Sequence, residues 1–523
     1  MTLCHNIIFT LLCLSSALKA EPSPSYHWEK HIRRGVESSL YHFHPTLDKW
    51  LVLSIHGQYF HLDNPDIHTK VQLYKNGLRF LSMASGKLQV SDCALWFGQN
   101  SVFLSPSFKN QISPYYSLCS GRIYVRQRRS SNTNLSLTEW GTQVLRDTSF
   151  GEDIINQFKP FLVTLGAEQV SDSLTEELEK EETKAPKSAE MEGVSHKVKA
   201  QDTNLGIALA NGQKDLYLGR FQETKFYPEA YISLFEPGLA ASKLTHEIKD
   251  LIYPLTEGEK SKLVYIAAYD LAKTTATFVL GTEEPPLFPP EKDTHLWHKN
   301  LVPIGSIPPY DMNQGLAVFI GGFKRHHGVF LGGKYKGKEY GYVEGGVELK
   351  KLASGLATLI AKDDEEIDIL AWPSDEQAKN LLPHVISARQ NGVLLLEDGK
   401  PTEFVKDWRS SNWAASAEGL RFTLRAGVCI QESERGRYLL FMAFTQATPS
   451  AMALTMTAYH CKSGMHLDMN ALMYLHNALY RLGEDNKPEV QYLNKEMLYP
   501  AGLKMHRYIM DNNYRDFFYV RRK

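Results

Sequence analysis

Three short clusters in the second half of the chain carry residue types that can do chemistry. Ile320-Gly321-Gly322-Phe323-Lys324 ends an apolar run, and Arg325, His326 and His327 follow it directly. Paired glycines at a strand end let a ligand approach the backbone closely and present N–H donors to an anion; a bulge or tight turn would use the same residues. Ala388-Arg389-Gln390-Asn391-Gly392 leads into Val393 to Leu396. The planar fork of an arginine suits phosphate or carboxylate, while the alternative is an Arg-Gln-Asn turn that ties loops together. Met465-His466-Leu467-Asp468-Met469-Asn470-Ala471 places a carboxylate and an amide two residues apart. On a strand end they would share a side, bind sugar hydroxyls and supply a general acid or base; alternatively, Asp468 caps a helix starting near Ala471.

The elements that must hold these clusters are mostly short apolar strands. Leu263 to Tyr269, Gly315 to Ile320 and Gly392 to Leu396 are such runs, with hairpin-type turns at Lys362 to Glu366 and Glu397 to Lys400. Pro449 to Tyr459 and Leu472 to Leu482 carry the Ala, Leu and Met content of helices. Strands mixed with helices, without steady βαβ alternation, predict an α+β domain over residues 205–523, a mixed β-sheet with flanking helices. A smaller β-rich domain, residues 21–167, precedes it. There Trp50 to Ile55 and Gly57 to Leu62 read as paired strands, Leu78 to Leu81 and Arg122 to Val125 as further strands, and Ser149 to Leu165 as a helix kinked at Pro160. Between the two lies a charged stretch, residues 168–204, with few apolar residues; it reads as a flexible linker.

The chain has 523 residues, a formal net charge of −1 and 43% hydrophobic residues. That length supports two or three domains with real cores, and a charge near zero argues against a broad nucleic-acid surface. Ile7 to Leu14 is an apolar run of signal-peptide length, followed by Ser15, Ser16, Ala17 and Ala20. Cleavage there leaves a mature chain starting near Glu21, with no membrane span after it, so export to the periplasm or beyond is expected; an uncleaved anchor is the alternative. Six cysteines become four once Cys4 and Cys13 leave with the signal. Cys93 and Cys119 lie close in sequence, as do Cys429 and Cys461, so two local disulfides are expected, with four buried thiols as the alternative. No C-x-x-C occurs, and the histidines before residue 70 have no ligand spacing. No metal or cofactor is called for.

Taken in order, the clusters resemble the phosphodiester glycosidase family, that of N-acetylglucosamine-1-phosphodiester alpha-N-acetylglucosaminidase and its exported bacterial relatives. The resemblance covers roughly Ala267 to Tyr480. It runs from Gly321-Gly322-Phe323 through Leu352 to Leu359, Ile367 to Trp372, Ala388 to Asn391 and Arg425 to Val428, and ends at His466 to Asn470. Two positions depart from the family pattern: Ile320 stands where the family usually has Asn, and Met469-Asn470-Ala471 where it often has a glycine run. The resemblance implies a pocket lined by Gly321, Gly322, Phe323, Arg389, Asn391, Arg425, Asp468 and Asn470, and a carbohydrate or glycosyl-phosphate substrate. Arg389 and Arg425 would then hold phosphate with the help of the glycine amides, and Asp468 would be the acid/base. A non-catalytic glycan-binding or polysaccharide-assembly protein on the same fold is the second reading. A metallohydrolase using His326, His327 and Asp468 is disfavoured, because adjacent strand residues point to opposite faces.

Overall fold

Runs of four to eight apolar residues bounded by Gly, Asp and Asn fold here as antiparallel strands rather than as a helix–strand mixture. The computed structural model describes residues 27–33, 36–55, 57–74, 87–96, 114–127, 185–192, 196–287, 300–330, 332–407, 411–413, 423–497 and 506–523. Among them every laddered strand pair is antiparallel. The α-helices among the described residues are short: Ser242–Ile248, Glu257–Lys260, Asp375–Leu381 and Pro449–Ala458. The protein is therefore mostly β with only minor helices, so the expected sheets are present and the flanking helices are fewer than an α+β domain implies. The error is concentrated at Leu472 to Leu482. Only Leu472–Leu475 turns as a 3-10 helix there, while Asn477–Leu482 is a strand paired with Pro488–Tyr492 and Gly315–Ile320. Pairing and burial override the helical propensity of Leu, Met and Ala. The expected elements at Leu78 to Leu81 and Ser149 to Leu165, and the signal segment, lie outside the described residues.

The large body is built on an eight-stranded sheet. Its centre is formed by Val264–Asp270, Gly436–Ala447, Thr423–Ser433 and Cys461–Met469 in that order. These strands are apolar on both faces because both faces are covered. Tyr265, Ala267, Phe441 and Val428 face a core shared with two five-stranded sheets. Ile266, Leu440 and Met442 face a second core closed by Ser242–Ile248 and Pro449–Ala458. Cys429 and Cys461 lie on neighbouring strands and are bonded, as are Cys93 and Cys119, so both local pairs expected from the sequence are disulfides.

The first 127 residues contribute a six-stranded sheet and a three-stranded one around their own core of Leu51, Leu53, Leu62 and Val125. Alternation gives the larger sheet a second apolar face: Trp50 and Val52, with Phe43, join the main core of the large body. A buried charge network completes that contact. Arg126 donates from Nε (2.9 Å) and Nη2 (2.7 Å) to Asp63, and from Nη1 to Glu344 (3.2 Å) and the Val302 carbonyl (3.4 Å). Asp63 also accepts from the Tyr310 hydroxyl, and Glu344 from the Leu280 amide at 2.8 Å. Residues 185–192, within the stretch expected to be linker, are tied to the large body. The Lys187 amide donates to Gln431 Oε1 at 2.7 Å, the Glu190 amide donates to the Ala458 carbonyl at 2.8 Å, and Ala185, Ala189 and Met191 pack on the second core.

Candidate functional site

Gly315–Ile320 runs beside Phe517–Arg522 with Ile320 opposite Phe517, so the chain leaving its end passes Asp516. The Gly321 amide donates to the Asp516 carbonyl at 3.1 Å, and the Gly322 amide to Asp516 Oδ2 at 3.3 Å. A Cβ on Gly321 would sit 2.6 Å from the Asp516 carboxyl, and one on Gly322 3.0 Å from Asn391 Oδ1 and 3.1 Å from the Arg389 guanidinium. The glycine pair is thus required for close approach, but what approaches is the protein's own Asp516, Asn391 and Arg389. The Phe323 amide donates to Asn391 Oδ1 at 3.0 Å. All three amides of the turn are occupied, which corrects the expectation that they face an anion.

Arg389 and Asn391 arrive from the end of Val385–Gln390. Arg389 is 1% exposed. Its Nε donates to Asp516 Oδ2, its Nη1 to the Gln390 carbonyl and its Nη2 to the Phe323 carbonyl, each at 2.7 Å. Asn391 Nδ2 donates to the carbonyls of His466 and Leu467, each at 2.9 Å, which fastens the turn to Cys461–Met469. This is the tie between loops that the sequence left open for Ala388 to Gly392.

Arg425 is fully buried; its Nε donates to the Ala447 carbonyl at 2.8 Å and its Nη1 to the Trp413 carbonyl at 3.0 Å. Nη1 also lies 3.4 Å from His466 Nε2. Burial pulls the Arg425 guanidinium down to about 9, so it stays charged at neutral pH. Burial, helped by the Arg425 charge, holds His466 well below its usual range, so the imidazole is neutral there and Nε2 is the acceptor. Its proton then sits on Nδ1, a buried atom with no partner. Neither Arg389 nor Arg425 has the open fork expected for phosphate.

Asp468 stands in the strand Cys461–Met469, not at a helix start, so it does not cap one. Its Oδ2 accepts from Arg515 Nη2 at 2.5 Å and its Oδ1 from the Met469 amide at 2.9 Å. The same Arg515 Nη2 donates to the Gly322 carbonyl at 2.7 Å. The Asp468 side chain keeps 8% of its surface exposed. Gly321, Gly322, Phe323, Arg389, Asn391 and Asp468 are thus joined in one hydrogen-bonded chain, and Arg425 touches it through His466. Asn470 departs from it: its backbone turns left-handed (φ 80°), and its Oδ1 accepts from Thr423 Oγ1 at 3.3 Å.

Sequence reasoning missed Arg515 and Asp516, the two residues that hold the chain together, and gave His466 no role. The available signal was the polar run Asp511 to Asp516 directly before the apolar strand Phe517–Arg522.

No family model and no curated protein matches the chain. Among solved structures, the catalytic domain of zebrafish N-acetylglucosamine-1-phosphodiester alpha-N-acetylglucosaminidase, auto-inhibited by its pro-peptide, is similar at 10% identity and a TM-score of 0.33, over 57% of this chain and 85% of that one. A hypothetical protein from Synechocystis is similar at 8% identity and a TM-score of 0.27, over 95% of this chain and 97% of that one. A protein of Burkholderia pseudomallei described as exported gives 8% identity and a TM-score of 0.21, over 50% and 74%. These are weak similarities to a glycosidase domain and to an exported protein, and at such scores neither a common fold nor a function follows from them.

Proposed function

We propose that the chain is an exported hydrolase that cleaves a sugar-1-phosphodiester or a related envelope glycan linkage, with Asp468 as its catalytic carboxylate. One observation carries this reading. Asp468 is ion-paired to Arg515 within a network assembled from four separate segments, beside a turn that only glycine permits. Two disulfides and the amino-terminal apolar run support export. In the ion pair Asp468 is charged and would take a proton from water. The water oxygen bonds to the anomeric carbon as its bond to the phosphate oxygen breaks, and the phosphomonoester leaves with the electron pair. A phosphate leaves without needing protonation, so one carboxylate suffices.

The test is release of free sugar and phosphomonoester from a synthetic glycosyl phosphodiester by the purified protein. Activity that falls at least ~100-fold in Asp468→Asn supports the proposal; no turnover by the wild type on any glycosyl phosphodiester tried removes it. The fully buried Ile320, at the position where the resembled family usually has Asn, favours a second reading, a glycan-binding protein without turnover. Saturable glycan binding with no product would mark that case.

A further inference from the structure

We infer that Arg515, Arg507 and Lys324, around the hydroxyls of Tyr474 and Tyr514, form an oxyanion-binding subsite that holds the phosphate of the ligand, in place of Arg389 and Arg425. The inference deepens the proposed function and rests on it only for the identity of the substrate; the binding site stands on its own geometry.

Each nitrogen of Arg389 donates to a protein acceptor, with Asp516 as its counter-ion. Arg425 is fully buried against carbonyls and a neutral histidine. Next to them the accounting does not close. Arg515 has Asp468 as counter-ion, yet its buried Nε has no partner. Arg507 is 6% exposed and pairs with no carboxylate among the described residues: Nη1 donates to the Met473 carbonyl at 2.8 Å, Nη2 to Asn513 Oδ1 at 3.4 Å, and Nε is buried with no partner among them. Lys324 is 8% exposed, and its ammonium meets no acceptor among the described residues, only the ring of Tyr514 at 5.8 Å. The Nε–H donors of Arg507 and Arg515 are shut off from water with no acceptor, which is destabilising unless something supplies one, whereas Lys324 Nζ is not among the buried atoms and stays within reach of a ligand.

These groups converge on one tyrosine pair. The Tyr474 and Tyr514 hydroxyls are 3.5 Å apart, the Arg515 guanidinium lies 5.0 Å from the Tyr474 ring centre, and Arg507 is fixed to the residue before Tyr474. Burial, and Tyr474 beside it, hold the Tyr514 phenol well above its ordinary value, so it is a neutral hydroxyl that can donate. Asp468 answers Arg515, which leaves Arg507 and Lys324 as two positive charges without a carboxylate among the described residues. Two unmatched cations and hydroxyl donors suit a phosphate, which carries more charge and more acceptor oxygens than a sugar carboxylate. Because Arg515 Nη2 bonds both Asp468 and the Gly322 carbonyl, an anion here would lie beside the proposed catalytic carboxylate.

The experiment is calorimetric titration of the purified chain with glucose 1-phosphate, inorganic phosphate and glucuronic acid, on wild type, Lys324→Met and Arg507→Met, with thermal melting of each. The expected result is binding of both phosphates, weaker or absent binding of glucuronic acid, and at least tenfold loss in both variants. Without ligand, Lys324→Met should melt at the same temperature as wild type or higher, whereas a lysine kept for structure would lower it. Absence of phosphate binding by wild type, unchanged affinity in folded Lys324→Met and Arg507→Met, or glucuronic acid binding as tightly as phosphate would each overturn the subsite. Phosphate binding without turnover of any phosphodiester leaves the subsite intact and removes the hydrolase. Turnover that Lys324→Met and Arg507→Met leave unchanged does the reverse.

Discussion

Two buried arginine–carboxylate networks can be compared within this one chain. At the contact of the amino-terminal sheet with the large body, Arg126 spends every nitrogen on Asp63, Glu344 and a carbonyl. Lys49 and Tyr310 add donors to Asp63, and the Arg126 guanidinium lies 4.5 Å from the Trp50 ring centre. At the second site, Asp468–Arg515–Asp516–Arg389 is just as buried but keeps orphaned atoms on Arg515 and Asp516, with unmatched cations beside it. A network that satisfies all its charged donors and acceptors has one job, which is holding two segments together. A network that leaves donors empty inside a protein is incomplete without something else.

Breaking the first network should give the largest effect. Arg126→Met leaves Glu344 buried without its cation and Asp63 with only Lys49 and Tyr310, and should lower unfolding free energy by about 3–5 kcal/mol, read by urea denaturation. Arg515→Met should be milder, about 1–2 kcal/mol, since Asp468 keeps its backbone donor and some exposure; a loss as large as that of Arg126→Met would erase the contrast between the two regions. A smaller effect is pH-dependent, and its alkaline part belongs to the amino-terminal region. Burial pulls His42 down, but hydrogen bonds to Asp48 and Glu29 outweigh it and raise the group to about 9. That contribution is complete below the unfolded value near 6.5 and is lost as pH rises toward 9. His466 has the opposite sign: held neutral by burial, it contributes stability above about 6.5 that is lost as pH falls below it, and His61 in the first region acts in the same sense. His42→Gln should flatten only the alkaline limb of a melting-temperature profile, a change of a few degrees; an unaltered alkaline limb would detach His42 from it.

The strands were readable where apolar runs ended in turn residues. Val264–Asp270, Gly315–Ile320 and the hairpins at Lys362 to Glu366 and Glu397 to Lys400 formed as expected, because local pattern and burial agree there. Asn477–Leu482 was not readable, since its composition favours a helix and only distant pairing decides it. The site was half legible. Residue type pointed to Arg389, Asn391 and Asp468 and these do meet, but an arginine's sequence position does not say whether its fork will be filled by its own chain. Arg389 is filled by Asp516, which follows it by 127 residues, and Lys324 is left empty. That difference exists only in the folded molecule, and it moves the expected anion contact from one set of cations to another.

The most direct test is a crystal structure of the protein with a non-hydrolysable glycosyl phosphonate. The account predicts the phosphonate oxygens within hydrogen-bond distance of Lys324 Nζ and the Arg515 guanidinium, with the anomeric carbon beside Asp468. A phosphonate bound through Arg389 or Arg425, or seated away from Asp468, would contradict it.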